Sequence, residues 1–341
     1  MSLDQTLARL GDEIDSELQT FIRANAPYVA DMAGYFFGWL DQDFQPIQDA
    51  KKGKRLRPIL SLLVCEAICG DYKKALPLAV AIELVHNYSL IHDDIADRDE
   101  ERRGRPTVWK LWGDGIAINT GSVLYTLAYQ VITTLAAPPE VILKIHALLV
   151  KTSLRLSEGQ HWDINYERDL HVNQAMYLNM IEGKTAALLE FSTAAAALLA
   201  TVDDSVVNDY GKFGLHLGLA FQIRDDYLSI WGDTKATGKP PFSDLRNKKK
   251  SLPITYALGH LQGAALERFA AIYADIDADM TDDEIQEILA LLESIDAPKY
   301  TRDLAENHTN EALKWLDAAG LQNSAQDMLR TLANSLTGRA S

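Results

Sequence analysis

The stretch Leu84-Val85-His86-Asn87-Tyr88-Ser89-Leu90-Ile91-His92-Asp93-Asp94-Ile95-Ala96-Asp97 is apolar for most of two turns and then becomes acidic. An α-helix rises about 1.5 Å and turns about 100° per residue, so Asp93 and Asp97 project from one face a turn apart, with Asp94 roughly 100° round. Like charges so close repel, and burying them beside the apolar run costs several kcal/mol unless a cation compensates. An all-oxygen carboxylate site suits a hard octahedral ion, so Mg²⁺ is expected there, and the cation in turn implies a phosphate. About 130 residues later, Gln222-Ile223-Arg224-Asp225-Asp226 interrupts a second apolar run in the same way.

Working outward, helical periodicity dominates, with apolar or Ala-rich runs at residues 56–69, 75–92, 116–136, 141–158, 174–200 and 205–231. Strand signals are nearly absent. Breaks fall at Gly70-Asp71, Ala137-Pro138-Pro139, Val202-Asp203-Asp204-Ser205 and Gly238-Lys239-Pro240-Pro241. Gly211, Gly214 and Gly218 recur at helical spacing and let another helix approach closely. The long runs are apolar on more than one face, so their helices must be surrounded by others. The expectation is a single all-α domain over residues 1–341, one large helical bundle of ten or more members with a central active-site cavity. From Ala264 onward the chain reads as amphipathic acidic helices without a chemical motif.

With 341 residues, 47% of them hydrophobic, the chain can bury a sizeable core. Its net charge of −15 excludes a nucleic-acid-binding surface, which needs clustered Lys and Arg, so the anionic partner is expected to be small. Cys65 and Cys69, one turn apart on a core helix, fit reduced thiols better than a disulfide. The N-terminal segment is acidic and amphipathic, and no run reaches about 18 uninterrupted apolar residues, which predicts a cytoplasmic protein with no membrane span.

The basic residues gather near the acidic motifs. Glu100-Glu101-Arg102-Arg103-Gly104-Arg105-Pro106-Thr107 puts two arginines just before a helix-breaking Gly and Pro, at a helix end or loop. Guanidinium forks grip phosphate oxygens bidentately. Gly53-Lys54-Arg55-Leu56-Arg57-Pro58 supplies a second cluster at a helix start, where free backbone N–H groups also favour anions. Two clusters suggest two anionic groups. His146, His161, His171 and His216 share no ligand spacing and read as surface or hydrogen-bonded core histidines, and the Trp109 and Trp112 pair reads as packing.

Taken in order, these motifs resemble the trans-isoprenyl diphosphate synthases, the polyprenyl synthetase family, from about Gly53 to Leu258. The resemblance implies that Lys54, Arg57, His86 and Arg103 bind isopentenyl diphosphate. It implies that Asp93, Asp94 and Asp97, with Asp225 and Asp226, bind Mg²⁺, three ions when substrate is present. Arg102 and Lys184 are implied to hold the allylic diphosphate, and Lys239 with one of Lys248 to Lys250, by spacing Lys249, to close over the diphosphates. Gln160 and Asp163 fall where the family has a pair near the metals, and Thr185 and Gln222 where it has dipoles near the allylic cation. A homodimer is implied as well, with the apolar faces at 116–136 and 141–158 as its interface.

Three positions depart from the family pattern: Ser229 where a third aspartate is usual, Ser122 where Gly-Asp is common, and Trp109 where His often stands. Weaker metal affinity is expected from Ser229, not loss of function. Tyr88, five residues and roughly 7.5 Å before Asp93 along the helix, is expected to act with Ser89 as the floor of the product channel. That pattern resembles enzymes making geranylgeranyl diphosphate, with farnesyl diphosphate as the neighbouring alternative. A class I terpene cyclase is the rival enzyme, but it has no use for Lys54, Arg57 and Arg103. A catalytically weak regulatory subunit of a heteromeric synthase is the rival from another class, motivated by Ser229 and Ser122.

Overall fold

The computed structural model describes residues 3–47, 53–232, 242–274 and 280–338. Lys239, Asp233 and the break at Gly238 to Pro241 therefore lie outside the described residues. Among the described residues the chain is all-α except for one two-stranded hairpin and an isolated bridge between Leu40 and Pro46. Two compact units emerge: residues 1–148 with 192–207 and 321–329, and residues 149–191 with 208–320 and 330–341.

In the first unit, α1 (Leu3–Asn25) buries Leu10, Ile14, Leu18 and Ile22, the stripe of i, i+4 positions expected of an amphipathic helix. Helix α2 (Ala30–Phe37) ends at Gly38, and α3 (Leu56–Cys69) at Gly70, both glycines in the left-handed conformation that closes a helix. Helix α4 (Leu76–Ala96) has no polar stripe until its last turns. Leu78 to Val85 are all essentially inaccessible, because α1, α3 and α6 (Asp114–Ile132) pack around it. At about 1.5–3 kcal/mol for each buried large aliphatic side chain, this surround fixes α4 firmly. Between α4 and α5 (Val108–Trp112) lies the hairpin Glu101–Arg102 and Arg105–Pro106. Its two-residue turn, Arg103-Gly104, has φ of 58° and 74°, the doubly positive geometry that suits the twist of paired strands. Two-residue strands leave no periodic signal, so the sequence shows only a break there.

The second unit comprises most of α7 (Pro139–Tyr166), then α8 (Gln174–Ile181), the start of α9 (Ala187–Ala200), most of α10 (Asp204–Trp231), and the C-terminal helices. Those are α11 (Leu252–His260), α12 (Gly263–Ala274), α13 (Asp282–Ser294), α14 (Ala297–Ala318) and the body of α15 (Ser324–Thr337). Helix α11 packs against α8, α12, α13 and α14 and so centres this unit. Helix α13 starts at a capping box, with Thr281 and Glu284 satisfying each other's backbone N–H groups.

The run at 174–200 is not one regular helix, because Glu182–Ala186 forms a π-helical turn between α8 and α9. Packing accounts for it. A Cβ on Gly159 of α7 would lie 2.2 Å from the Lys184 backbone nitrogen, and one on Gly183 would lie 2.6 Å from the Arg155 carbonyl. On the other side a Cβ on Gly218 of α10 would lie 2.6 Å from the Ala186 Cα. The wide turn is thus clasped between two backbones, and π-turns of this kind concentrate at functional sites.

Candidate active site

Each unit carries a cluster of functional groups. In the first, α3 begins after Arg55, whose left-handed backbone turns the chain so that its side chain runs inward. Arg55 bonds Asp15 and Glu83, each at 2.8 Å, and is thereby neutralised. Its neighbours are not. Arg57 lies 3.5 Å from His86 Nε2, with its own Nε buried and unbonded, and burial pulls its guanidinium down to about 10. Arg103 comes from the hairpin to Gly53, where a Cβ would sit 3.1 Å from its Nη2. Burial and the charge of Arg55 lower its proton affinity. Among the described residues neither Arg57 nor Arg103 forms an ion pair. His86 is held well below its usual range, by burial first and then by Arg57, Arg103, Arg102 and Arg55, so it is neutral at pH 7. This concentration of positive charge calls for an anion. Lys54 stands beside it, exposed.

The first acidic motif occupies the end of α4. Asp97 caps the helix, its N–H bonding the Asp93 carbonyl, so the two lie one turn apart as the spacing requires. Asp94 faces inward, 1% exposed, and accepts a 2.5 Å bond from Arg102 Nε. Its other oxygen is buried without a partner, and burial raises its carboxyl to about 6 despite Arg102. Arg105 pins the hairpin that carries both arginines. Its guanidinium donates to the Tyr35 and Leu40 carbonyls at 3.1 and 2.8 Å and stacks 4.0 Å above the Tyr35 ring, and Tyr35 Oη donates to the Pro106 carbonyl. Trp109 donates to the Asp99 carbonyl at 2.8 Å and so braces the same loop. Further down α4, Tyr88 packs against Tyr125 with ring centres 4.6 Å apart, and Tyr125 meets Tyr129 through a 2.9 Å hydroxyl contact. Ser89 spends its hydroxyl on the His86 carbonyl.

In the second unit, Asp163, Lys184, Thr185, Gln222, Asp225, Asp226 and Lys249 all line one cavity of about 200 Å³. Lys184 pairs with Asp163 at 2.5 Å. Thr185 donates to Gln222 Oε1 at 2.9 Å, and Gln222 Nε2 donates at 2.9 Å to Asp226 Oδ1. The other oxygen of Asp226 accepts from Tyr177 Oη and, at 2.9 Å, from the Leu252 N–H. Even with these donors burial, joined by Asp244, raises Asp226 to about 7. Lys249 lines the cavity as well. Lys250 also lines it, but its ammonium bonds the Glu167 carbonyl and lies over the Tyr273 ring.

The residues suit a hard divalent cation. Asp94 has an orphaned buried oxygen, and burial raises the carboxyls of Asp94 and Asp226 to about 6 and about 7 even against Arg102 and the donors around Asp226. Among the described residues no three His, Cys, Asp or Glu side chains are grouped to hold a metal alone. That fits Mg²⁺, which keeps waters and takes a few carboxylates together with substrate phosphates. Ser229 does not take the place of the missing aspartate. Its buried hydroxyl bonds the Asp226 carbonyl of its own helix at 2.8 Å. Ser122 likewise bonds the Ile118 carbonyl. Gln160 carries a buried, unbonded amide nitrogen.

The sequence does not single out Arg105, Tyr177 or Asp244, and it names Lys250 only as one of Lys248 to Lys250, favouring Lys249. Tyr177 carries no signal of its own, whereas Arg105 sits in the quoted arginine motif and its charge is the hint the sequence offers.

Residues 39–292 match the polyprenyl synthetase family. The chain is 37% identical over 336 residues to the (2E,6E)-farnesyl diphosphate synthase of Mycobacterium tuberculosis, covering 98% of this chain and 89% of that protein. It is 38% identical over 291 residues to the geranylgeranyl diphosphate synthase of the same organism, covering 85% and 82%. The crystal structure of a polyprenyl synthetase from Streptomyces coelicolor superposes with a TM-score of 0.91 at 37% identity, covering 98% of this chain and 99% of that one. Ordered motifs, fold and full-length similarity agree, and the chain belongs to the polyprenyl synthetase family.

Proposed function

We propose that this trans-prenyltransferase condenses isopentenyl diphosphate with allylic diphosphates, in the cytoplasm and with Mg²⁺, to make a short-chain prenyl diphosphate, foremost geranylgeranyl diphosphate. The observation that carries the reading is the pair of unneutralised guanidinium groups, Arg57 and Arg103, beside neutral His86. A cyclase handling one diphosphate has no need of them.

Arg57, Arg103, His86 and Lys54 bind the diphosphate of isopentenyl diphosphate. Arg102 and Lys184 bind that of the allylic substrate, and Lys239 and Lys249 close over the diphosphates. Asp93, Asp94, Asp97, Asp225 and Asp226 hold Mg²⁺, three ions with substrate present, and the metal supplies charge neutralisation on the departing pyrophosphate. As the allylic C–O bond breaks, its electron pair leaves on pyrophosphate, which Arg102 and Lys184 stabilise. The carbonyl of Gln222, oriented by Thr185 and by the grip of Asp226 on its amide, offers a weak dipole to the allylic cation. The double bond of isopentenyl diphosphate then forms the new C–C bond, and the proton lost from it passes to pyrophosphate. Farnesyl diphosphate is the second reading, favoured by the close packing of the tilted Tyr88 and Tyr125 rings, 4.6 Å apart, which adds a second aromatic ring to the floor.

The protein acts as a homodimer. Ile118, Leu143 and Leu154 leave large apolar side chains exposed, at 50%, 70% and 68%, on the helices expected to form the interface. No helix among the described residues is long and apolar enough to cross a membrane.

The test is product analysis with Mg²⁺, isopentenyl diphosphate and, separately, dimethylallyl, geranyl and farnesyl diphosphates. A discrete twenty-carbon prenyl diphosphate is expected. Hydrocarbon from an allylic substrate alone, or no turnover, would overturn the reading.

A further inference from the structure

We propose that His216 and His308, with Glu311, form a second metal site that takes a borderline-soft divalent ion such as Zn²⁺ or Co²⁺ and is separate from the aspartate motifs. His216 lies on α10 and His308 on α14, and their Nδ1 atoms are 3.1 Å apart with the rings stacked at 5.4 Å. Two metal–nitrogen bonds of about 2.0–2.1 Å meeting near a tetrahedral angle span roughly this separation. Glu311 follows His308 by three residues, so both side chains leave the same face of α14 within a turn. Its carboxylate rests on Lys314 at 3.2 Å, a half-exposed pairing of the kind that contributes little and yields readily.

Imidazole ligands must be neutral, and both rings are. Burial lowers His308 to about 4, with His216 adding to the effect, and burial likewise lowers His216. The charged groups around the pair are Glu311 and Glu182, which favour a cation, and Lys212 and Lys314, which oppose it. Imidazole nitrogens select zinc-like ions over Mg²⁺, whereas the oxygen-only aspartate clusters do the reverse, so the two kinds of site load independently. Among the described residues no three such groups already stand at ligand distances, so Glu311 must swing in as the metal arrives. The competing account is a plain N–H···N hydrogen bond between two neutral rings.

Metal-stripped full-length protein in excess Mg²⁺ is titrated with Co²⁺ and followed by its visible absorption, alongside His216→Gln, His308→Gln and Glu311→Ala, each first checked for folding by its melting curve. About one equivalent should bind, raise Tm, and lose at least tenfold in affinity in either histidine variant, roughly the loss that removing even an outer-sphere partner causes. Failure to bind Co²⁺, or equal affinity in all four proteins, would overturn the site. X-ray absorption of the loaded wild type needs no variant: two imidazole nitrogens in the metal's shell are expected, and an all-oxygen shell sinks the proposal.

Discussion

At the scale of single residues, Ser229 offers a direct test of what position 229 does for metal binding. Its hydroxyl is committed to its own helix, so Ser229→Asp puts a new carboxylate into a buried position beside Asp226. The variant should reach half-maximal activity at several-fold lower Mg²⁺ and lose Tm in chelator, because an unbalanced buried charge is costly. An unchanged Mg²⁺ dependence would show that position 229 takes no part in metal binding. Arg103→Met should raise KM for isopentenyl diphosphate about ten- to hundredfold, the worth of one charge-assisted contact, and leave KM for the allylic substrate nearly unmoved. Tyr88→Ala should lengthen the product, read by chromatography of the dephosphorylated prenols. Since the Tyr125 ring packs directly against Tyr88, the single variant should extend the chain by fewer units than Tyr88→Ala with Tyr125→Ala.

At the scale of elements, the arginine hairpin works because something holds it. Arg105 donates to the Tyr35 and Leu40 carbonyls at the end of α2 and just beyond it, adding to the bond that the Tyr35 carbonyl already accepts from the Gly38 N–H. Arg105→Met keeps the stem and loses both bonds, so KM for both diphosphates should rise about tenfold and stability fall by about 1–3 kcal/mol in urea melts. Arg105→Lys should recover only part of this, since an ammonium cannot span two carbonyls as a planar fork does. A KM effect confined to one substrate would count against the pinning role. The long helices were legible from sequence: the run at 56–69 coincides with α3, and those at 75–92 and 205–231 fall within a few residues of α4 and α10. Amphipathic and fully apolar helices announce themselves over many turns. The hairpin and the π-turn span only a few residues each, and their shape is set by Arg105 and by the close backbones at Gly159 and Gly218, which no periodicity records. Motif spacing located the acidic and basic residues, but it said nothing of Tyr177 or His308, which reach their partners only through tertiary packing.

At the scale of the whole molecule, an acidic protein of net charge −15 buries two carboxyls raised well above the ordinary value, Asp94 to about 6 and Asp226 to about 7. Both lie above the ordinary value near 4, so each favours the folded state fully below that value and loses its contribution as pH rises through 6 to 7. Metal-free protein should therefore lose roughly 3 kcal/mol per group between pH 4 and 7.5, and Mg²⁺ with pyrophosphate should flatten the profile by taking over the neutralisation. His308, at about 4, runs the other way: it costs stability as pH falls from about 6.5 to 4, and Mg²⁺ leaves that limb untouched. Melting curves across pH with and without Mg²⁺ separate the two, and a metal-free profile flat from pH 5 to 7.5 would refute the carboxylate account.

The pairing of Arg102 with Asp94 and of Lys184 with Asp163 bears on turnover. If Arg102 and Lys184 hold the allylic diphosphate as proposed, that diphosphate displaces a carboxylate from each, so part of its attraction is cancelled by the pairs it breaks. When pyrophosphate departs, both carboxylates would be in place to receive the cations and speed the exit. A synthase that repeats its condensation has to let go as often as it takes hold, and two internal counterions of this kind would keep its grip at a strength from which release stays fast.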